Sequence, residues 1–217
     1  MADGVMPERA RVVVLVAHPD DETLWAGGTL LMHQGWTTFV GSLCRSSDND
    51  RAPRFFRALE LLGAHGAMAD LDDGPDQSPL AAEEVRATLL SLLPGGRIDL
   101  LVTHGPRGEY TRHVRHEEVS RNVLEMWASG QIVSRELWLF AYADGGGSHL
   151  PEVEQGADLL LELSEDVWKR KQGLLTETYG FAVDSWEARV APPREAFWRL
   201  VSARDAWAWL ERGRPHR

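Results

Sequence analysis

His18, Asp20, Asp21 and Glu22 stand almost side by side in Ala17-His18-Pro19-Asp20-Asp21-Glu22, directly behind Arg11-Val12-Val13-Val14-Leu15-Val16. Imidazole and carboxylate side chains so close together are natural ligands for a divalent ion. Pro19 fixes φ and turns His18 away from helical geometry. The chain therefore leaves the apolar run in a rigid turn, and a helix begins around Asp21 to Thr23. Across that turn His18 and Asp21 can converge on one ion, while Asp20 points elsewhere as a free carboxylate. A plainer reading is that the acids only cap a helix N-terminus, where negative charge is favourable. His18 at the end of a buried strand tips the balance towards a metal.

A second cluster, His113-Val114-Arg115-His116, follows the apolar run at 98–103 and the loop at 104–110. The i, i+3 spacing puts both rings on one face of a helix. One can complete a His-Asp-His set and the other can stand beside it; spacing does not say which. By itself such a pair reads equally as two solvated histidines at a helix start. With the first cluster it supplies the parts of a metal-dependent hydrolase. These are an activated water, a carboxylate to take its proton and an imidazole to steady the developing oxyanion. The chemistry is hydrolysis of an amide or ester.

Such groups need a frame. Strand-like runs at 12–17, 37–43, 98–103 and 136–141 alternate with helical patterns at 23–34, 52–62, 79–93 and 116–127. Ser78 reads as the N-cap of the third helix, with Pro79 at its first position. This alternation predicts an α/β protein, a Rossmann-like three-layer sandwich with a mostly parallel sheet. Both clusters then sit at strand C-terminal ends, where open sheets of this kind bind ligands. The chain reads as one domain over 1–217, with 142–217 a less regular part that shapes the substrate site. That part holds a glycine-rich loop at 144–148, an edge strand at 159–163 and a helix at 165–175 capped by Ser164. A long loop at 179–193 and a final helix at 194–210 follow.

A net charge of −10 disfavours nucleic acid and gives no general attraction to anionic membranes. The single Cys44 excludes internal disulfides and fits a reducing compartment. The thiol itself reads as a small buried apolar group rather than a nucleophile. No run is apolar enough to span a bilayer, and no secretory core follows the N-terminus. The expectation is a soluble cytoplasmic protein without stable membrane insertion, a homo-oligomer remaining open. Trp25 beside the first cluster, or Trp186 in the late loop, can offer a face to a sugar ring, although core packing is the commoner use of any one Trp. Trp198, Trp207 and Trp209 fit an amphipathic final helix. Gly27-Gly28 reads as close packing of a helix on the sheet. His104 is either an outer support of the site or a plain loop residue.

The segment from Ala17 to Leu24, followed by Ala26-Gly27-Gly28-Thr29-Leu30, resembles the N-terminal signature of the PIG-L or LmbE-like deacetylases. The HxxH pair between Gly108 and Glu117 is similar to that family's second signature. The resemblance spans roughly residues 11–130. It implies a Rossmann-like fold and zinc-dependent removal of an acetyl group from a small N-acetylated amino sugar, such as an N-acetylglucosamine conjugate. By motif position it makes His18, Asp21 and His116 ligands of Zn2+, another divalent metal being possible. It makes Asp20 the general base and His113 the group that stabilises the tetrahedral intermediate. Arg51, Glu22 and Trp25 are candidates near the substrate, Glu22 in a supporting role. The chain departs from the family in four places, one of them Arg54, which stands three residues after Arg51 where members commonly carry Glu. Cys44-Arg45-Ser46-Ser47 stands where members often carry Thr-x-Gly-Glu. Val114-Arg115 stands where many carry Pro-Asp. The helix with Lys169-Arg170-Lys171-Gln172 has no clear Ser-Gln signature. A polyanionic substrate would need Arg51, Arg54, Arg107 or Arg112 at the entrance. Two other readings remain: a zinc amidase for a non-sugar amide, and a non-catalytic Rossmann module binding a sugar or nucleotide.

Overall fold

The structure, a computed structural model, describes residues 6–110 and 113–212. In β1 (Arg11–Val16) successive side chains enter opposite layers. Val12, Val14 and Val16 join one apolar cluster, and Val13, Leu15 and Ala17 the other. A strand buried on both faces needs an unbroken apolar run, which explains why no polar residue alternates here.

The chain continues as α1 (Asp21–Met32), β2 (Thr37–Cys44), α2 (Arg51–Leu62), β3 (Ala64–Leu71), α3 (Ala82–Leu92), β4 (Ile98–Thr103), α4 (Val114–Ala128) and β5 (Ser134–Phe140). Two short strands, β6 (Tyr142–Ala143) and β7 (Glu152–Val153), pair with each other. Then come β8 (Leu159–Glu162), α5 (Glu165–Gly173), a π-turn (Leu174–Thr178), α6 (Trp186–Val190), β9 (Arg194–Leu200) and α7 (Ala203–Arg212). The main sheet has seven strands in the order β3-β2-β1-β4-β5-β9-β8. The first five run parallel; β9 is antiparallel to both β5 and β8. The α/β sandwich with a mostly parallel sheet is therefore the observed fold. Strand order reverses between β1 and β4, which places the ligand crevice above their C-terminal ends.

Three elements differ from the sequence reading. β3 has no counterpart in the sequence reading, which places no element between the helix ending at 62 and the one starting at 79; its Ala-His-Gly-Ala-Met-Ala-Asp-Leu sequence has no β-branched residue. Small residues suit it because α2 packs closely: a Cβ on Gly66 would lie 2.4 Å from both Val40 O and Leu59 Cδ1. The third helix starts at Ala82, and Ser78 does not cap it; the Ser78 carbonyl instead accepts Arg115 Nη2 at 2.8 Å. The expected final helix is two elements, β9 and α7. Ala196, Trp198 and Leu200 face one layer and Phe197 the other, so burial on both faces hid the strand period. Trp198 thus belongs to β9, not to a helix with Trp207 and Trp209.

The final third is built into the sheet through β8 and β9. Ser164 caps α5 as expected, its hydroxyl accepting Val167 N. The tight Gly27-Gly28 stretch also meets this part. A Cβ on Gly28 would come within 2.4 Å of Leu163 Cδ1. Glu195 on β9 accepts the Gly28 and Thr29 amides at 2.8 and 2.7 Å and pairs with buried Lys171 at 2.6 Å. Among the described residues, no helix is long and apolar enough to cross a membrane.

Candidate metal centre and cleft

The turn after β1 and the start of α4 meet above the β1–β4 junction. His18 Nδ1 lies 3.3 Å from Asp21 Oδ2 and 3.2 Å from His116 Nε2; His116 Nε2 lies 3.3 Å from Asp21 Oδ2. Ligand atoms on a tetrahedral ion with bonds of about 2.0–2.1 Å are separated by about 3.3 Å. The three atoms, two imidazole nitrogens and one carboxylate oxygen, are thus already spaced as three corners around one ion, and the donor set suits zinc.

A ring of buried groups aims these donors. Glu109 Oε2 takes His116 Nδ1 at 2.6 Å and His104 Nδ1 at 2.8 Å. With Nδ1 carrying the proton, the lone pair of His116 Nε2 faces Asp21 and His18. His104 Nε2 accepts the Ala17 amide at 2.9 Å. It is therefore the same neutral tautomer, with no lone pair left for an ion. Glu109 and Asp21 favour its charged form and carry its pKa up to about 9 against the pull of burial. The Ala17 contact decides for the neutral ring, since a proton on Nε2 would face that amide hydrogen. Asp73 Oδ1 sits 3.1 Å from His18 Nε2, which leaves Nδ1 of His18 as the donor. The Trp25 indole donates to Asp21 Oδ1 at 3.1 Å.

Burial alone would raise the Asp21 pKa, but His116 and His104 hold it well below the usual carboxylate range. Asp20 behaves oppositely. Burial first, then the Asp21 charge, push its carboxyl well above that range, with His18 and Arg51 pulling back. Arg51 Nη1 is 3.3 Å from Asp20 Oδ2. The Asp20 backbone has φ 138°, a strained conformation for a residue with a side chain. Glu22 helps to hold it, accepting the Asp20 amide at 3.1 Å and the Tyr179 hydroxyl at 2.7 Å. The Asp20 side chain makes no capping bond to α1. It opens instead into a cleft of about 350 Å3, lined by His18, Arg51, Asp73, His113 and Trp186 among others.

His113 is the N-cap residue of α4, its ring stacked on His116 at 4.2 Å between centroids. Among the described residues its buried Nδ1 has no hydrogen-bond partner. Burial, then the neighbouring His116 and His18, lower its pKa to about 3. The ring is neutral, so it can donate a hydrogen bond but does not bring the positive charge that an imidazolium would. Arg115 does not partner it. Its buried guanidinium turns to the loop at 72–78, donating to Asp72 O at 2.6 Å and Ser78 O at 2.8 Å and pairing with Glu118. It thereby anchors the loop that presents Asp73 to His18.

Burial sets two of the substrate candidates back from the cleft wall. Trp25 and Glu22 are both fully buried, so neither can touch a ligand. Trp25 supports Asp21, and Glu22 supports Asp20. Arg51 does reach the cleft, stacked over Phe181 at 4.5 Å. Trp186, packed edge-on against Tyr110 at 4.7 Å, lines it too. Arg54 is spent on Asp50 and Tyr179 O, and Arg107 lines a different cavity. Arg112 lies outside the described residues. Glu109, Asp73 and Arg115 escaped the sequence reading because each acts through a fold contact, not through a motif.

The fold is shared with several solved deacetylases. N,N'-diacetylchitobiose deacetylase from Pyrococcus horikoshii superposes with a TM-score of 0.65 at 14% identity, covering 92% of this chain and 86% of that one. The 4-carboxy-2-hydroxymuconate hydratase GalB of Pseudomonas putida KT2440 superposes with a TM-score of 0.53 at 16% identity, over 83% and 84%. An uncharacterised protein of Acanthamoeba polyphaga mimivirus is 24% identical over 127 residues. That match spans 52% of this chain and about half of the relative, 56%. No family model matches the chain.

Proposed function

We propose that the protein is a member of the PIG-L/LmbE-like family, a cytoplasmic metal-dependent N-deacetylase that releases acetate from a small N-acetylated amino sugar or its conjugate. The observation that carries this reading is the triangle of His18 Nδ1, Asp21 Oδ2 and His116 Nε2, each edge 3.2–3.3 Å, beside the Asp20 carboxylate, a cleft-wall group outside the triangle and paired with Arg51. These three residues would hold one divalent ion, zinc by donor chemistry. When bound, the ion supplies Lewis-acid polarisation and lowers the pKa of a water molecule towards about 7.

The chain's own groups carry the rest. Asp20 takes the proton of the attacking water. Its raised pKa matches that task, because a base works best near the operating pH. The same group can return the proton to the departing amine. His113 donates a hydrogen bond to the oxygen on which negative charge grows. Asp73, Glu109 and Trp25 fix the ligand side chains, so no reorganisation is needed as the charge develops. Trp186 offers an aromatic edge to the sugar, and Arg51 holds Asp20 and reaches polar substituents.

The hydratase among the fold neighbours supports a second reading, addition of water to an unsaturated acid. The two separate in one experiment. Zinc-loaded protein is incubated with a panel of N-acetylated amino sugars and conjugates, and acetate is measured. Acetate release that depends on the metal supports the deacetylase. Its absence across the panel, with turnover of another amide or of an unsaturated acid, removes the sugar assignment.

A further inference from the structure

Around the far nitrogen of the His18 ring lies a second group of donors, which shares His18 and Asp73 with the site above and adds Cys44, a thiol that the reaction does not use. His18, Cys44 and Asp73 each offer a ligand atom, and these atoms all lie within 4.8 Å of one another. His18 Nε2 and Asp73 Oδ1 are 3.1 Å apart. Cys44 ends β2 and is a buried free thiol. Arg45 grips the other Asp73 oxygen, Oδ2, through two nitrogens at 2.9 and 2.6 Å, leaving Oδ1 directed at His18. His18 and Asp73 both line the cleft, so an ion approaching from solvent meets them before the sulfur.

We propose that His18 Nε2, Cys44 Sγ and Asp73 Oδ1 form a second, inhibitory site for a thiophilic divalent ion such as Cd2+ or zinc in excess. A thiolate with imidazole selects soft or borderline ions over Mg2+ and Ca2+. The sulfur already lies within 4.8 Å of both other donor atoms, so an ion between them needs only a small closure of the three groups. The balance is simple. The Cys44 thiol releases one proton to solvent as its sulfur–metal bond forms, the proton on His18 Nε2 moves to Nδ1, and nothing is oxidised or reduced. Without such an ion, burial first, then Asp73, keeps the thiol protonated, its pKa up at about 12.

The inhibition follows from the imidazole ring. A neutral imidazole has a single lone pair. With Nε2 donating to Asp73, the lone pair is on Nδ1, facing Asp21 and His116. With an ion on Nε2, Nδ1 carries the proton and His18 leaves that set. The two positions therefore compete for one residue. Inhibition rests on the hydrolase reading, but occupancy of the second site does not.

The test is a Cd2+ titration of the zinc-loaded full chain, followed by ultraviolet absorbance. Only cadmium on sulfur gives a thiolate charge-transfer band, and the His18–Asp21–His116 set has no sulfur. The parent is expected to develop the band to one Cd2+ per chain, and both Cys44→Ser and Cys44→Ala to lose it. Alanine fills the position without a polar atom, so agreement between the two variants separates loss of the thiol from a change in packing. Where the chain turns over a substrate, the Cd2+ inhibition constant, taken against each variant's own rate, is expected to rise at least tenfold in Cys44→Ser. Absence of the band in the parent overturns the site. A band with equal inhibition in parent and variant overturns the competition for His18. Absorbance needs no substrate, so failure of the deacetylase reading would show separately.

Discussion

Glu109→Gln is the most discriminating single perturbation, because one buried carboxylate serves three donors. Oε2 takes the Nδ1 protons of His104 and His116, and Oε1 takes the Gly105 amide at 2.8 Å. A glutamine of the same size has only one acceptor oxygen. Facing that oxygen to the histidines points its NH2 at the Gly105 amide. Facing the NH2 to the histidines drives His116 into the Nε2-protonated tautomer, which cannot bind an ion. Loss of such an outer partner typically costs about 10–100-fold in metal affinity, or about 1.4–2.8 kcal/mol. The assay is competition for Zn2+ against a chromophoric chelator, with thermal unfolding as the folding control. A folded Glu109→Gln variant that binds Zn2+ within twofold of the parent would refute the argument that Glu109 fixes the ligand tautomer. The same carboxylate has a pH signature in the metal-free protein. Burial opposes its charge, yet His104 and His116 lower its pKa from 4.5 to about 2. A depressed acid stabilises the fold above its unfolded pKa, and that contribution is lost as pH falls from about 4.5 through about 2. Urea midpoints across this range should fall more steeply in the parent than in Glu109→Gln.

Asp20→Asn should keep the metal and lose turnover by about 10²–10⁴-fold, the usual cost of removing a general base; near-parent kcat would take that role from Asp20. His116→Ala should lose zinc, whereas His113→Ala should keep it and lose kcat, as zinc analysis beside kinetics would show. The reverse pattern would exchange the two rings. Gly28→Ala should destabilise by about 1–3 kcal/mol, since its methyl would meet Leu163 and the Glu195 oxygen that holds α1. A denaturant midpoint unchanged from the parent would show that Leu163, just after β8, yields freely there.

The parts of the fold legible in the sequence are those where local chemistry and tertiary environment agree. β1, β2 and β4 read as strands because both their faces are buried, and α2 ends at Gly63, whose φ of 71° suits glycine. β9 was hidden for the same reason that β1 was visible. It is buried on both faces, but its Trp and Phe residues fit an amphipathic helix equally well. β3 was hidden because close packing selected small residues over β-branched ones. At the site, the two histidine clusters announced themselves, and the structure brings His18, Asp21, His113 and His116 together. The groups that aim them did not. Asp73 reaches His18 from a loop that Arg115, in the first turn of α4, pins at Asp72 and Ser78, with Arg45 gripping the Asp73 carboxylate itself. Trp25 and Glu22 carried the opposite lesson: neighbours of the motif in sequence, they point into the protein rather than into the cleft.

The central claim is that one ion sits on His18, Asp21 and His116. A crystal of zinc-loaded protein measured at the zinc absorption edge tests it directly. The account predicts a single strong anomalous peak about 2.0–2.2 Å from His18 Nδ1, Asp21 Oδ2 and His116 Nε2, with His104 Nε2 still on the Ala17 amide. A peak bound through His104 in place of His18, or none at this position, would contradict it.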